Sequence, residues 1–296
     1  MAKKKLLLWL SQLACNANAH SLLNHPSLEE FQKSFDWLYH PLLPSLSSLD
    51  EILDNYEEME CDILLIDGAL CAGLSKKGVR MRDMLEHFAK SCSHILTVGT
   101  CATYGGIFSA GGEDRSGLHF DGEKRLDGFS DFFEKSISLP GCPVHPEIVV
   151  AVITALAQGG SLPLDSYRRP KEYYGYTVHD GCSRNEYFEY KIDRHDFGHL
   201  EGCMFYEHGC RGTYSVGSCN MILWNGVSSK TRVGEPCHGC TEADFPTRGL
   251  WRTEKHMGIP ARLPLGVSKR AYLSLAGVAK AFRIDRFHRR ILEDEE

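Results

Sequence analysis

The residues best suited to chemistry are nine cysteines and one histidine that recur at short intervals. The chain has twelve cysteines in 296 residues. The dense group comprises His179, Cys182, Cys203, Cys210, Cys219, Cys237 and Cys240, and the sparse group comprises Cys15, Cys101 and Cys142. Iron–sulfur clusters are held by three or four thiolates, sometimes with an imidazole replacing one. Ten candidate ligands are too many for one cluster and about right for three, which indicates an electron conduit.

Zinc and disulfide bonds are the competing interpretations of these cysteines. The pair Cys237 and Cys240, with two residues between them, would by itself favour zinc. Zinc leaves the other seven cysteines of the pattern unexplained. The lysine-led start runs directly into an apolar stretch too short for a signal h-region. We therefore expect a reducing compartment, where cysteines bind metals more often than they form disulfides.

Composition narrows the function classes. The chain is 43% hydrophobic and 24% charged, as expected for an ordinary globular protein, and its length favours two domains. A formal net charge of −6 argues against a nucleic acid partner, which would need a basic face. The longest apolar stretch, residues 148–157, is about half the length that a membrane span needs. We expect any membrane attachment to come through a partner.

Strand and helix patterns alternate along the first half of the chain. Residues 5–10, 61–67 and 94–98 are apolar runs typical of buried parallel strands. Residues 79–90 have helical spacing, and a helix is predicted to begin at Ser27, with Glu30 completing a capping box. This pattern predicts an α/β fold, with a flavodoxin-like, doubly wound parallel sheet over residues 1–158. Residues 159–296 lose the alternation and predict a loop-rich, mostly irregular or α iron–sulfur domain, with helical spacing over residues 271–292.

The three sparse cysteines each follow a predicted strand. In an open α/β sheet, the loops at the carboxyl ends of the strands converge on one crevice. Cys15, Cys101 and Cys142 can therefore meet around one cluster although they are far apart in sequence. Among the remaining cysteines, Cys61 and Cys92 fit buried structural thiols, whereas Cys71 follows a strand and stays a candidate.

Several motifs together resemble the small subunit of nickel–iron hydrogenases. They are VGTCATYGGI at residues 98–107, LPGCPVHP at 139–146, VHDGC at 178–182, GCRG at 209–212 and CHGC at 237–240. The resemblance implies an electron-transferring subunit that relays electrons from hydrogen oxidation through three clusters to an acceptor. It also implies that the nickel–iron centre lies on a separate large subunit, against which the small subunit packs.

The resemblance also implies which residues hold each cluster. The proximal cluster takes Cys15, Cys101 and Cys142; the distal cluster takes His179, Cys182, Cys203 and Cys210; the medial cluster takes Cys219, Cys237 and Cys240. With three thiolates, the medial cluster is expected to be 3Fe-4S. The distal cluster is expected to be 4Fe-4S, with 3Fe-4S as the alternative.

Asn18 marks a departure from the commoner family pattern, which has a second cysteine at this position. An amide oxygen is a poor match for iron that prefers thiolate. Either the proximal cluster is 3Fe-4S, or it is 4Fe-4S and Asn18 or water caps the fourth iron. The Cys-x-x-Asn start, the long Cys203–Cys210 spacing and the lack of an export signal resemble the cytosolic, high-affinity, oxygen-tolerant uptake branch, known as group 2.

The group 2 resemblance implies a cytoplasmic location, a quinone or redox-protein acceptor, and a higher oligomer of heterodimers. Two alternatives stay open. One is the small subunit of a regulatory, hydrogen-sensing hydrogenase. The other is an iron–sulfur relay subunit of a related quinone-linked dehydrogenase, although such a relative would carry adjacent cysteines in its first loop and lack the second cluster domain.

The cluster interpretation predicts the iron content of the protein. Three clusters of three or four irons correspond to roughly ten to twelve irons per chain. Metal analysis of anaerobically purified protein measures this content directly. Stoichiometric zinc with about four irons would contradict the interpretation.

Overall fold

A computed structural model describes residues 4–112, 114–247 and 250–281 of the chain. The described residues form two compact units. The first runs to Tyr173 and includes Thr241–Phe245, and the second comprises Tyr174–Cys240 and the residues from Pro246 onward. Within the described ranges, no helix is long and apolar enough to cross a membrane.

The first unit is built on a parallel sheet of five strands. These are β1 (Leu6–Ser11), β2 (Asp36–Tyr39), β3 (Ile63–Asp67), β4 (His94–Val98) and β5 (Ser136–Leu139). Their order across the sheet is β5-β4-β3-β1-β2, and all neighbours pair in parallel. This order is that of flavodoxin-like folds, so the predicted fold class is confirmed. The direction in which strands are added to the sheet reverses between β1 and β3, where such sheets form their ligand crevice.

Ten α-helices lie within the described residues. In chain order they are α1 (Ala17–Leu22), α2 (Leu28–Ser34), α3 (Leu49–Asn55), α4 (Met81–Ser91), α5 (Thr100–Tyr104), α6 (Gly106–Ser109), α7 (Pro146–Ala157), α8 (Lys171–Tyr174), α9 (Asn185–Glu189) and α10 (Lys269–Ala281). Two 3₁₀ helices span Tyr56–Glu58 and Ser130–Lys135. The predicted continuation of α10 to residue 292 lies outside the described residues.

Four two-stranded ribbons complete the described regular structure. They pair Leu70–Cys71 with Arg115–Ser116, Ser75–Lys76 with Val79–Arg80, Phe120–Asp121 with Lys124–Arg125, and Lys255–His256 with Ile259–Pro260. Only the last of these ribbons lies among the described residues of the second unit, which contains little regular structure, as its sequence predicts.

The hydrophobic core lies on both faces of the sheet in the first unit. Residues 7–10 of β1 are completely buried because helices cover both faces of a parallel sheet. Helix α4 buries Met81, Met84, Leu85 and Phe88 on one side, which confirms the predicted apolar face. Burial of such side chains stabilises the fold by about 1.5–3 kcal/mol each.

The predicted capping box at α2 is wrong. Ser27 is the N-cap, but its side chain makes no capping bond, and its backbone N–H donates to His25 Nδ1 at 3.1 Å instead of to Glu30. The capping box of this unit is at α3. There, Ser48 Oγ accepts from Glu51 N at 3.2 Å while Glu51 Oε2 accepts from Ser48 N at 2.7 Å.

Strand β2 was not predicted from the sequence, and it is followed by a buried histidine. His40 is 3% exposed and packs edge-on against Trp9 and Trp37, with ring centroids 4.8 and 4.9 Å away. Its Nδ1 accepts from the backbone N–H groups of Leu42 and Leu43, both at 3.1 Å. Burial lowers the pKa of His40 from 6.5 to about 3, so the ring is neutral in the folded protein.

We predict that His40 makes the folded protein sensitive to acid. Between pH 6.5 and about 3, the unfolded chain binds a proton that the folded chain excludes. The free energy of unfolding should therefore fall with falling pH, and His40 should contribute about 1–2 kcal/mol of the loss between pH 7 and pH 5. His40→Asn keeps an acceptor for the two N–H groups and removes the proton site.

Urea unfolding at pH 7 and pH 5 measures the effect. The His40→Asn variant should lose less stability than the wild type on acidification. The exposed His256→Asn variant serves as the control and should behave as the wild type does. An unchanged pH dependence in His40→Asn would contradict the prediction.

Candidate metal centres

The three sparse cysteines all lie at the carboxyl ends of sheet strands. Cys15 follows β1, Cys101 lies in α5 after β4, and Cys142 follows β5. Cys15 and Cys142 are exposed, and Cys101 is half-buried. The pKa of Cys101 is raised to about 11, mainly by burial and in part by the nearby Cys15 thiol, although backbone N–H groups of residues 107 and 108 act to lower it.

Glycines allow the backbone to approach the Cys101 sulfur. Gly106 has a φ of +53°, and a Cβ at this position would lie 2.9 Å from Cys101 Sγ. A side chain here would therefore displace the sulfur or the N–H groups that point at it. Hydrogen bonds from backbone N–H groups to sulfur are a means by which proteins hold cluster ligands and tune their potential.

Asn18 lies in α1 beside this crevice, and hydrogen bonds engage its amide. The Nδ2 group donates to Asp67 Oδ1 at 2.7 Å and to the Val98 carbonyl at 3.2 Å. The Oδ1 atom accepts from the Val144 backbone N–H at 3.0 Å. Asn18 itself is 9% exposed.

A second group of candidate ligands lies within the second unit. Cys182 lies close enough to Cys203 and Cys210 for its charge to raise the pKa of both, and the charge of Cys210 also raises the pKa of Cys203. Cys182 Sγ accepts from Arg184 N and Cys203 Sγ from the backbone N of residue 205, both at 3.4 Å. Burial is the main cause of the raised pKa of Cys203 and Cys210.

His179 belongs to the same region. Its backbone N–H donates to the carbonyl of Gly212 at 2.9 Å, which joins the histidine loop to the residues after Cys210. The ring packs edge-on against Phe188 with centroids 4.6 Å apart. Burial lowers the pKa of His179, which favours the neutral imidazole that metals bind.

The third group is Cys219, Cys237 and Cys240. Burial and, to a smaller extent, the nearby Cys240 thiol raise the pKa of Cys219 to about 12. Cys237 is also buried, and charges on Cys210, Cys240 and Cys219 raise its pKa. The backbone N–H of Cys237 donates to Cys210 Sγ at 3.3 Å, so the second and third groups are in direct contact.

These surroundings suit iron–sulfur clusters. Several thiols buried near one another resist ionisation unless a metal offsets their charges. The described residues offer no hydrogen-bond partner to Arg211 Nη1 and Ser215 Oγ, two buried groups whose side chains lie beside Gly239. The sulfides of a bound cluster would satisfy such donors.

None of the twelve cysteines, all within the described ranges, forms a disulfide bond. In the same ranges, no three His, Cys, Asp or Glu side chains are arranged to hold a single metal ion. Cys71 Sγ donates to Asp114 Oδ2 at 3.3 Å, and Cys61 and Cys92 are buried.

Arg184 is an important residue of the second unit that the sequence did not single out. The residue is 3% exposed, and its guanidinium donates to the carbonyls of residues 199, 201, 202 and 231. Burial lowers the pKa of Arg184, and the charges of Cys182, Cys203 and Cys210 act in the opposite direction. Arg184 therefore orders the long segment between Cys182 and Cys203 and places a positive charge beside three thiols. Only its position two residues after Cys182 could have drawn attention to it.

We predict that Arg184→Lys destabilises this site although it conserves the charge. A lysine ammonium cannot reproduce a planar guanidinium that reaches carbonyls on two segments. Buried carbonyls would lose their donors, and we expect a loss of about 3 kcal/mol or more in the free energy of unfolding. Iron retained per chain should fall with it.

Chemical denaturation and metal analysis of the anaerobically purified variant check this prediction. Arg232→Lys makes the same change at an exposed position and should leave both quantities as in the wild type. Wild-type stability and iron content in Arg184→Lys would show that the guanidinium is not required.

Two family models match separate parts of the chain. Residues 15–156 match the family described as NADH ubiquinone oxidoreductase, 20 Kd subunit. Residues 174–250 match the family described as the C-terminal part of the NiFe/NiFeSe hydrogenase small subunit. The second match covers the dense group of candidate ligands in the second unit.

Several hydrogenase proteins are similar to this chain in sequence or in structure. The F420 non-reducing hydrogenase II small subunit of Methanosarcina mazei is 29% identical in an alignment that covers 86% of this chain and 77% of the relative. The periplasmic [NiFe] hydrogenase small subunit of Solidesulfovibrio fructosivorans is 33% identical over 57% of this chain and 52% of the relative. A solved structure of recombinant [NiFeSe] hydrogenase from Desulfovibrio vulgaris Hildenborough aligns with a TM-score of 0.71 at 25% identity, over 85% of this chain and 99% of that one. The chain is therefore similar, over most of its length, to the small subunits of nickel–iron hydrogenases.

Proposed function

We propose that this chain relays electrons from hydrogen oxidation on a large subunit, through three iron–sulfur clusters, to an acceptor. The observation that carries the proposal is the contact between the second and third ligand groups. The Cys237 N–H lies 3.3 Å from Cys210 Sγ, so two adjacent redox groups would be joined by one hydrogen bond. Iron–sulfur clusters supply reversible one-electron transfer at potentials set by their ligands and surroundings.

The ligand assignments belong to this proposal. Cys15, Cys101 and Cys142 hold the proximal cluster in the domain of residues 1–158. Residues 159–296 hold the medial cluster through Cys219, Cys237 and Cys240, and the distal cluster through His179, Cys182, Cys203 and Cys210. The lowered pKa of His179 and the N–H donors to sulfur support these roles.

The proximal ligands also support the need for a partner. Cys15 and Cys142 are exposed, and Ile107, whose backbone N–H approaches Cys101, is 43% exposed. A cluster at this surface would be open to water and oxidants unless another protein covered it. The large subunit with its nickel–iron centre is the partner that we propose for this face.

The branch of the family and the cell compartment are further parts of the proposal. The Cys15-x-x-Asn18 start and the Cys203–Cys210 spacing support the group 2 uptake type, with a cytoplasmic location and a higher oligomer of heterodimers. The proposed acceptor is a quinone or a redox protein. The relatives include periplasmic and F420 non-reducing enzymes, so this assignment rests on the motifs alone.

A relay subunit of a quinone-linked dehydrogenase is the second candidate. The match of residues 15–156 to an NADH ubiquinone oxidoreductase subunit favours it. The match of residues 174–250 to the hydrogenase small subunits favours the first candidate, because this region contains seven of the ten proposed ligands. A hydrogen-sensing hydrogenase would share both features and differ in turnover.

We predict hydrogen-dependent dye reduction by the protein when it is purified together with its large subunit. Cys210→Ser replaces a thiolate at the junction of two clusters and should reduce the rate by at least tenfold relative to the wild type. Cys71→Ser serves as the control, because Cys71 pairs with Asp114 in the first unit. No hydrogen-dependent activity in the wild-type complex would refute the proposed function, and slow turnover with tight hydrogen binding would favour the sensor.

A further inference from the structure

We propose that Asn18 is a positioning residue that holds the three proximal cysteine loops together, and that it is not a ligand of the cluster. This inference rests on the proposed function only in taking Cys15, Cys101 and Cys142 as the proximal ligands. Its starting observation is the set of hydrogen bonds that engages the Asn18 amide.

The partners of Asn18 fix the orientation of its amide. The Val98 carbonyl can only accept a hydrogen bond, and the Val144 backbone N–H can only donate one. The nitrogen must therefore face Val98, and the oxygen must face Val144. Both N–H bonds of Nδ2 are used, one by Val98 and the other by Asp67, at 3.2 and 2.7 Å. The carbonyl oxygen that would bind iron is already directed at the Val144 N–H.

These bonds connect the three segments that carry the proximal cysteines. Asn18 lies on the segment that begins after β1, three residues from Cys15. Val98 ends β4, just before the Cys101 helix, and Val144 follows Cys142 in the loop after β5. One side chain thus links all three segments, and Asp67 adds the end of β3.

Other hydrogen bonds join these segments in pairs. Thr100 N donates to the Gly141 carbonyl at 3.0 Å, which links the Cys101 and Cys142 loops. Ser21 Oγ donates to the Val144 carbonyl at 2.8 Å, which links the Cys15 and Cys142 segments. The Asn18 amide differs from both because it reaches the two partner loops at once from the Cys15 side.

The packing around Asn18 is built for this side chain. Gly99 has a φ of +96°, and a Cβ on it would lie 2.3 Å from Asn18 Nδ2. Asp67 is 2% exposed, and its Oδ1 is occupied by Asn18. A buried amide and carboxylate in contact are complementary, whereas two carboxylates at this distance would repel each other.

The two possible roles of Asn18 predict opposite effects for Asn18→Asp. If residue 18 is a ligand of the cluster, Asn18→Asp should bind iron more strongly, because a carboxylate is an anionic oxygen donor of the same shape. If residue 18 positions the loops, Asn18→Asp should lose this function, because the new carboxylate faces Asp67 and the Val98 carbonyl and has no donor for either. Adding Asp67→Asn returns a donor to the pair and should restore most of the lost order, leaving only Val98 without its partner.

The test compares Asn18→Asp, Asp67→Asn and the double variant in the complex purified anaerobically with the large subunit. Iron per chain is counted, and alkylation rates of Cys15, Cys101 and Cys142 are measured by mass spectrometry. Asn24→Asp, which makes the same substitution at an exposed site after α1, is the matched control. Cys182, Cys203 and Cys210 serve as internal references within the same chain.

We expect Asn18→Asp to lose the irons of one cluster and to alkylate about tenfold faster at the three proximal cysteines. The reference cysteines and Asn24→Asp should resemble the wild type, and the double variant should recover most of the protection that Asn18→Asp loses. Wild-type protection or additional iron in Asn18→Asp would overturn the proposal in favour of a ligand role. Failure of Asp67→Asn to rescue would also overturn it. A wild-type complex without iron would instead refute the proposed function.

Discussion

Burying several thiols close together is the constraint on which the rest of this structure depends. Each thiolate raises the pKa of its neighbours and loses solvation, so the site needs offsetting groups. The chain supplies backbone N–H groups directed at sulfur and, beside one group, the guanidinium of Arg184. A bound cluster would complete this balance, and in the second unit it would also tie together segments that contain little regular structure.

Polar side chains position the ligand loops in both units. In the first unit, Asn18 joins the ends of neighbouring strands. In the second unit, Asn220 donates to the Val178 carbonyl at 2.7 Å, and its Oδ1 accepts from Ser229 Oγ and Thr231 Oγ1 at 2.5 and 2.8 Å. Each amide satisfies several groups on separate segments, which a single apolar side chain could not do. Loops that lack regular structure thereby gain defined positions.

The sequence predicted those features that depend on local pattern. Apolar runs such as residues 94–98 indicated the strands, and cysteines after strands indicated the crevice, because sheet topology brings these positions together. The capping box predicted at Ser27 is absent because the Ser27 backbone N–H donates to the His25 side chain, a local competitor that the spacing of Ser27 and Glu30 does not take into account. Strand β2 is short and mixes Asp36 with aromatic residues, so it lacks the apolar run of its neighbours. The roles of Arg184 and Asn18 depend on carbonyls far along the chain and could be found only in the structure.

The central claim is that one chain carries three redox-active clusters in series. An EPR-monitored redox titration of the complex with the large subunit tests it most directly, because each cluster gains its electron at its own potential. We expect three iron–sulfur components in the wild-type complex. Cys210→Ser should perturb the two components that meet at the contact between Cys210 and Cys237 and leave the third unchanged. A single titrating component, or a Cys210→Ser variant in which all components titrate as in the wild type, would contradict it.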